Sequence, residues 1–358
     1  AFVRYDEVAT VLSQGTTRAT VKLKSGLQVD LRVVKDESYG AALVYFTGSK
    51  AHNIALRLKG VKRRLKINEY GVFRKQRWIA GRSEKDVYAE IDLPYIEPEL
   101  RENNGEIEAA EAGKLPRLVT LEKIRGDLHT HTDASDGSGS MENMARAATA
   151  LGYDYLAISD HAKHVGITHG LDARRLARQM AQIDRRNANH RDILLLKSVE
   201  VDILPDGRLC LDDAVLADLD LVIAAVHTGF SQGADAQTAR ILRAMDNRYV
   251  NVIAHPTGRL IGERGPYAVD MARLMEGAKE RGVHLEVNCQ PSRLDLSDTH
   301  CRMAKKMGLK LALSTDSHNP ESLSYMRYGL DQARRGWIEA KDVLNTRPWP
   351  QLKKLLKR

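Results

Sequence analysis

Residues 126–137 read GDLHTHTDASDG, and this stretch decides the fold once six later ones are placed beside it. In an extended chain successive side chains alternate in direction, so His129 and His131, two apart, project to the same side. The later stretches are YLAISDH (155–161), ILLLKSVEVDI (193–203), LVIAAVH (221–227), VNVIAHP (250–256), VHLEVNC (283–289) and KLALSTDSH (310–318). Each is a short apolar run rich in β-branched residues. Between them lie stretches with helical spacing, among them MENMARAATALG, LDARRLARQMAQIDRR and DTHCRMAKKMG. Strand and helix alternate, which implies a parallel sheet in an α/β domain, either a βα barrel or a related open sheet.

The strand ends share a chemistry. In chain order they present His129 and His131, His161, Glu200, His227, His255, then Asp316 and His318, with Asp136 just past the first strand. A lone histidine at a strand end is more often structural than functional. Here, though, the carboxyl ends of parallel strands converge on one face, so nine such groups meet in one pocket. Imidazole with carboxylate is the ligand set of zinc, manganese or iron, and nine ligands are too many for one ion, which implies two or three. His52, His190, His284 and His300 lie away from the strand ends and read as structural; His164 and His169 fall in a loop. Asp127 and Asp160 read as groups supporting the ligands, because neighbouring strand residues point to opposite faces. Arg259 (HPTGR) and Arg293 (PSRLD) follow strands on the same face and suit the non-bridging oxygens of a phosphate, with surface ion pairing as the alternative.

The remaining composition places charge elsewhere. The chain has 358 residues, twelve histidines, three cysteines and a net charge of +8. No run approaches the roughly 18 to 20 apolar residues of a membrane span, and the first residues lack signal-peptide order, so a soluble cytoplasmic protein without membrane partners is expected. The cysteines lack CxxC spacing and read as reduced thiols. Residues 50–82 carry eleven Lys/Arg and only Glu69, whereas 83–122 carry eleven acids against four bases. The basic run is expected to form a helix with Ile54, Leu56, Leu58 and Val61 on a small core. Lys50, Lys59, Lys62, Arg63, Arg64 and Lys66 then form a surface for a nucleic-acid backbone, with a solvated helix face as the alternative. The acidic block, rich in Pro, Asn and Gly, reads as a connector with a short helical patch near Glu106 to Ala112. Strands TTRATVKLK and LQVDLRVV flank a turn at Ser25-Gly26 and open a small α+β unit ahead of it.

The motifs GDLHTHTDASDG, ISDHA, SVEVDI, AVHTG, AHPTGR and STDSH together resemble the PHP family, the polymerase and histidinol phosphatase phosphoesterases. The resemblance implies a distorted seven-stranded (βα) barrel over 124–358 with a trinuclear site. One metal would be held by His129, His131, Glu200 and Asp316; a second by Glu200, His227 and His255; a third by Asp136, His161 and His318, with Asp133 as the alternative to Asp136. LQVDLRVV, ESYGAALVYFTGSKAHNIALR and LKINEYGVF resemble the end of the palm (1–45) and the thumb (46–92) of family X DNA polymerases, joined by the acidic linker (93–123). That likeness matches Asp30 to the third metal-binding carboxylate of the palm. Tyr45, Phe46, Thr47 and Gly48 match the turn beside the incoming nucleotide's sugar, and Asn53 and Arg57 match contacts near the nascent base pair. The palm's first two carboxylates are absent before Asp30. The chain is therefore expected not to extend DNA and to be a carboxyl-terminal fragment; nucleotide and magnesium would belong to the full-length polymerase.

The expected activity is metal-dependent 3′–5′ exonuclease action on gapped or 3′ ends of DNA in base-excision repair, by a monomer. AP-endonuclease and 3′-phosphatase activities are further expectations. His129, His131, Glu200 and Asp316 would hold the metals that activate water. The alternatives are a small-molecule phosphatase of the histidinol-phosphate type, and a DNA-binding module with a non-catalytic PHP half.

Overall fold

The computed structural model describes residues 1–164 and 168–356. The chain divides into two compact units, Ala1–Leu115 and Pro116–Arg358.

The first unit begins with a three-stranded antiparallel sheet of β1 (Val8–Gln14), β2 (Arg18–Leu23) and β3 (Gln28–Arg32). Gly26, at φ +88°, makes the turn between β2 and β3, a left-handed conformation that favours glycine. Helices α1 (Tyr39–Thr47) and α2 (Lys50–Lys62) follow, then a second antiparallel sheet of β4 (Leu65–Asn68), β5 (Gly71–Arg74) and β6 (Arg77–Ala80), and helix α3 (Glu84–Ala89). Ser49 caps α2 by accepting from the His52 N–H. The buried stripe of α2 differs from the sequence expectation. It consists of His52, Leu56 and Gly60, four residues apart, while Ile54, Leu58 and Val61 are 46%, 58% and 65% exposed. The reason is close packing at Gly60, where a Cβ would lie 2.9 Å from Ile67 Cδ1, so the helix faces β4 along that line alone.

The acidic stretch also departs from a plain connector. Residues 93–115 pack within the first unit, and Ile96, Leu100, Arg101, Glu106 and Ile107 are buried there. Arg101 donates to the Ile96 carbonyl, Glu84 and Thr47, while helix α4 (Glu106–Glu111) brings Glu106 Oε1 to 2.6 Å from His52 Nδ1. His52 Nε2 lies 3.0 Å from the Tyr88 hydroxyl. The acids thus tie down the start of the basic helix.

The second unit is a sheet of seven parallel strands in sequential order: β7 (Gly126–Asp127), β8 (Tyr155–Ile158), β9 (Leu194–Asp202), β10 (Leu221–Ala225), β11 (Val252–Ile253), β12 (His284–Asn288) and β13 (Leu311–Ser314). Helices α5 (Met141–Ala150), α6 (Ala173–Asn189), α7 (Asp213–Leu216), α8 (Ala234–Met245), α9 (Met271–Arg281), α10 (Asp298–Met307) and α11 (Met326–Arg335) lie between or after the strands. Because both faces of the sheet are covered, β8, β10 and β13 are buried along their length and read as apolar runs rather than as alternation. Alternate residues feed two cores. Leu156 and Ile158 pack outward with the helices, while Tyr155, Ala157, Leu196, Leu221 and Ile223 fill the interior. The interior is plugged at the amino ends of the strands by α12 (Trp349–Leu356), through Leu352 and Leu356. The carboxyl ends remain for the site.

The barrel is nearly closed. Thr130 bridges Ser317, and Asp127 on β7 accepts from the Thr315 N–H and hydroxyl beyond β13. Burial raises the Asp127 carboxyl to about 6 even though these donors favour the charged form. Among the described residues no helix is long and apolar enough to cross a membrane.

Candidate metal centre

The structure brings all nine sequence-derived ligands to the carboxyl ends of the barrel strands. The chain leaves the ladder of β7 after only two residues, and the extended run beyond it presents His129 and His131 inward; both are fully buried. Glu200 lies within β9, at 1% exposure, with one carboxylate oxygen toward each side of the cluster. Its Oε2 lies 2.9 Å from His161 Nδ1, 3.4 Å from His129 Nε2 and 3.7 Å from His131 Nε2. Its Oε1 lies 3.0 Å from His255 Nε2 and 3.2 Å from His227 Nε2. Asp316 Oδ1 lies 3.1 Å from His131 Nε2 and 3.6 Å from His129 Nε2. Nearer the mouth, Asp136 lies 3.5 Å from His161 Nε2 and 3.4 Å from His318 Nε2. Asp133 is exposed and outside this group.

Two of the clustered residues hold unusual backbone. Asp316 has φ +52° and His255 φ +27°, conformations that carry a cost of about 1–3 kcal/mol for residues with a Cβ. The surrounding bonds enforce them: the His255 N–H donates to Glu286, and Asn288 Nδ2 donates to Asp316 Oδ2.

The donor set fits divalent metal ions. Bonds of about 2.1 Å in a tetrahedral site place ligand atoms roughly 3.4 Å apart, the spacing found around Glu200 and Asp316. Buried polar atoms are almost always hydrogen-bonded, yet His129 Nε2, both ring nitrogens of His131 and Glu200 Oε2 have no partner aligned for a hydrogen bond, close as the opposing groups lie. Of these, His129 Nε2, His131 Nε2 and Glu200 Oε2 face one another in the cluster. Ligand atoms converge within 4.8 Å in three overlapping groups: His129, His131 and Asp316; His161, Glu200 and His227; and His131, Asp136, His161 and His318.

Electrostatics alternate in sign across the cluster. Burial opposes charging of His161 and His227, but Glu200, with Asp136 or Asp202, outweighs it and lifts them to about 10 and about 9. His129 is raised by Glu286, Asp316 and Glu200 against its burial. Burial pushes His131 down to about 3, reinforced by His161 and His318, and it lowers His255 as well. Glu200 and Asp316 stay well below the usual carboxylate range because the imidazoles outweigh their burial.

Supporting groups were only partly foreseen. Asp127 serves the barrel seam and accepts from the His129 N–H. Asp160 accepts from Thr132, Ser135 and Gln179 beneath the first loop. Glu286 and Asp202 were missed: Glu286 Oε1 lies 2.7 Å from His129 Nδ1, and Asp202 Oδ1 lies 2.8 Å from His227 Nδ1, so each fixes a ring and leaves the other nitrogen free to ligate. The available signal was a buried-type acid inside an apolar strand, LEVN and VEVD.

A cavity of about 310 Å³ opens onto the cluster, lined by Asp136, His161, Glu200, His227, His255, Asp316 and His318, and also by Phe230, Leu260, Arg264 and Arg293. Arg293 lies 3.7 Å from Asp316. Arg259 does not line the cavity: its guanidinium donates to the carbonyls of Arg293 and Leu294, so it braces the loop that carries Arg293. Arg264, which the sequence reading did not single out, lines the cavity instead.

In the first unit Lys50, Arg57, Lys62, Arg64 and Lys66 are exposed, while Lys59 pairs with Glu111 and Arg63 with Asp92. Asp30 already accepts from Thr20 and Gln28, contacts that lower its carboxyl. Asn53 holds the Tyr45 carbonyl, and Gly48 caps α1. Arg57 lies over the Tyr45 ring at 5.2 Å, and Phe46 is 52% exposed.

Two family models match: DNA polymerase beta thumb over residues 42–102 and PHP domain over 127–288. A Bacillus subtilis relative described as DNA polymerase/3′-5′ exonuclease PolX is 41% identical over 355 residues, covering 98% of this chain and 62% of the relative. The chain thus spans less than two thirds of that relative's length. A probable phosphatase of Thermoanaerobacter sp. is 30% identical over 236 residues, covering 63% of this chain and 91% of the phosphatase. A solved histidinol phosphate phosphatase from Lactococcus lactis, in complex with zinc, L-histidinol and phosphate, aligns with a TM-score of 0.43 at 17% identity, over 60% of this chain and 95% of that one.

Proposed function

This chain belongs to the PHP family and joins its PHP domain to a polymerase beta thumb, the arrangement of PHP-bearing family X DNA polymerases, and from that premise we propose that it is a metal-dependent phosphoesterase acting on DNA ends. The favoured activity is 3′–5′ exonucleolytic, with AP-endonuclease and 3′-phosphatase action at the same site, in gap repair. The observation that carries it is the Glu200 carboxylate, buried, with its two oxygens facing two different histidine groups beside the orphaned Nε2 atoms of His129 and His131.

In this reading His129, His131, Glu200 and Asp316 hold one ion, Glu200, His227 and His255 a second, and Asp136, His161 and His318 a third. Divalent ions such as Zn²⁺, Mn²⁺ or Fe²⁺ bound there would neutralise phosphate charge and bring the pKa of water toward neutrality. The chain's own residues do the rest. Glu286 and Asp202 fix the His129 and His227 rings, Arg293 on the wall holds a non-bridging phosphate oxygen, and Arg259 positions Arg293. Lys50, Arg57, Lys62, Arg64 and Lys66 hold the strand by its phosphates, which gives affinity without sequence preference.

A second reading, a small-molecule phosphatase, is favoured by the relation to probable phosphatases over most of their length. A 3′-labelled single strand incubated with Mn²⁺ or Zn²⁺ tests the proposal: mononucleotides are released by the wild type and not by a His129→Ala, Glu200→Ala double variant. Equal release by that variant overturns it, and hydrolysis of histidinol phosphate with no action on DNA selects the second reading.

A further inference from the structure

One wall of the cavity differs in character from the histidine cluster. Phe230, Leu260 and Arg264 form it, and none of them touches a ligand of the proposed metals through a hydrogen bond or ion pair among the described contacts. The Arg264 guanidinium carbon lies 3.9 Å from the centroid of the Phe230 ring, and the buried Tyr267 ring stacks on Phe230 at 6.1 Å with the planes 20° apart.

The wall is pre-organised from both sides. Gly229, at φ +72°, turns the chain into Phe230. The buried Arg240 clamps that loop by donating to the carbonyls of Thr228 and Leu204 at 2.8 Å. On the facing loop Leu260 and Arg264 exchange backbone hydrogen bonds at 2.8 Å, and Arg264 Nη2 donates to the Gly258 carbonyl at 2.8 Å. The Tyr267 hydroxyl donates to the Pro256 carbonyl at 2.7 Å, next to His255. Such a platform loses little conformational entropy when a ligand lies against it.

We propose that Phe230, Arg264 and Leu260 form a stacking wall for a nucleobase, so that the site takes the terminal nucleotide of a strand and derives part of its affinity from the base. The inference rests on the phosphoesterase reading above and adds the residues that hold the base. A half-buried aromatic ring with a guanidinium laid over it offers a flat, polarisable, cationic face. Every base has a π-face to match, so the preference is for a base over none rather than for one sequence. A sugar phosphate without a base leaves this wall uncovered.

Calorimetric titration of the intact, Mn²⁺-loaded protein with dAMP, dTMP and 2-deoxyribose 5-phosphate tests this without relying on turnover. Both nucleotides are expected to bind about tenfold or more tightly than the base-free phosphate, the scale of one stacked base. Phe230→Ala should narrow the gap to within about threefold, and Phe230→Trp should keep it. Equal or absent binding of all three by the wild type overturns the inference, as does a gap that survives Phe230→Ala. The wild-type comparison stands even where the alanine variant fails to fold. Base-dependent binding in a protein that releases no nucleotide from DNA would instead sink the phosphoesterase reading, so the two failures are distinguishable.

Discussion

Replacing Glu286 by Gln removes one charge and almost no volume, and the bonds around this side chain determine the effect. Glu286 is fully buried, with Oε1 2.7 Å from His129 Nδ1 and Oε2 accepting from the His255 N–H at 2.7 Å and from Asn288 Nδ2 at 3.1 Å. A glutamine has one acceptor for these two sides. If its amide NH₂ faces His129, the imidazole accepts at Nδ1 and carries its proton on Nε2, the orphaned atom that faces Glu200 and Asp316, which blocks it as a ligand. If the NH₂ faces His255, it meets the His255 N–H and the Asn288 amide, leaving buried donors opposed at about 1–3 kcal/mol. The first arrangement lowers metal affinity by about 10- to 100-fold, the usual effect of losing a ligand's orienting partner, or about 1.4–2.8 kcal/mol, whereas the second keeps the His129 contact and lowers the stability of the fold instead. Competition between the protein and a chromophoric chelator for Zn²⁺, at pH 8, measures it. Glu286→Gln binding within twofold of wild type, with an unchanged melting profile of the metal-free protein, would refute the reasoning.

The contacts already described set three further outcomes. His161 and His227 have folded-state values of about 10 and about 9 against about 6.5 for a free imidazole, so their charged forms stabilise the metal-free fold below about pH 6.5 and this contribution is lost as pH rises through 9 to 10. Metal uptake at pH 7 in a weak buffer should therefore release two or more protons per chain, and a pH-stat that records none contradicts it. Arg101→Met leaves Glu84 unpaired beside Tyr88 and Tyr95 and should destabilise the first unit by about 3–5 kcal/mol; hydrogen exchange of residues 39–111 reads this, and a loss under about 1 kcal/mol speaks against it. Lys62→Ala with Arg64→Ala should reduce the slope of log affinity for duplex DNA against log salt by about 1.8, whereas Lys59→Ala with Arg63→Ala, both already paired with acids, should change it by less than half of that. An unchanged slope for Lys62→Ala with Arg64→Ala would remove those two residues from the DNA surface.

The barrel and the convergence of its candidate ligands were legible because two regularities coincide. The strands of a parallel sheet read as apolar runs, and each of the runs beginning at 126, 155, 193, 221, 250 and 310 ends in, or carries, a histidine or carboxylate that the fold must bring to one face. The remaining run, VHLEVNC, carries no proposed ligand but holds Glu286, which reaches the His129 ring from a strand that does not pair with β7 and follows no spacing rule. Phe230 and Arg264 lie in loops, where periodicity says nothing about direction, and their meeting depends on the turn at Gly229 and the clamp by Arg240. Arg259 had the right position in the chain and the wrong direction, because backbone carbonyls of its neighbouring loop claim its guanidinium. In the first unit hydrophobicity suggested that α2 would bury Ile54, Leu58 and Val61, but a polar network through His52 and the close approach at Gly60 select another face. The acidic stretch looked like a solvated connector because composition does not register that Arg101 and Glu106 are buried and bonded.

Elemental analysis of the chain, purified without chelator and then equilibrated with Mn²⁺ or Zn²⁺ and desalted, tests the central claim most directly. Two to three ions per chain are expected, falling below one in the His129→Ala, Glu200→Ala variant. A wild-type chain that retains no metal, or a variant that retains as much as wild type, would contradict the assignment of the barrel mouth as a metal centre.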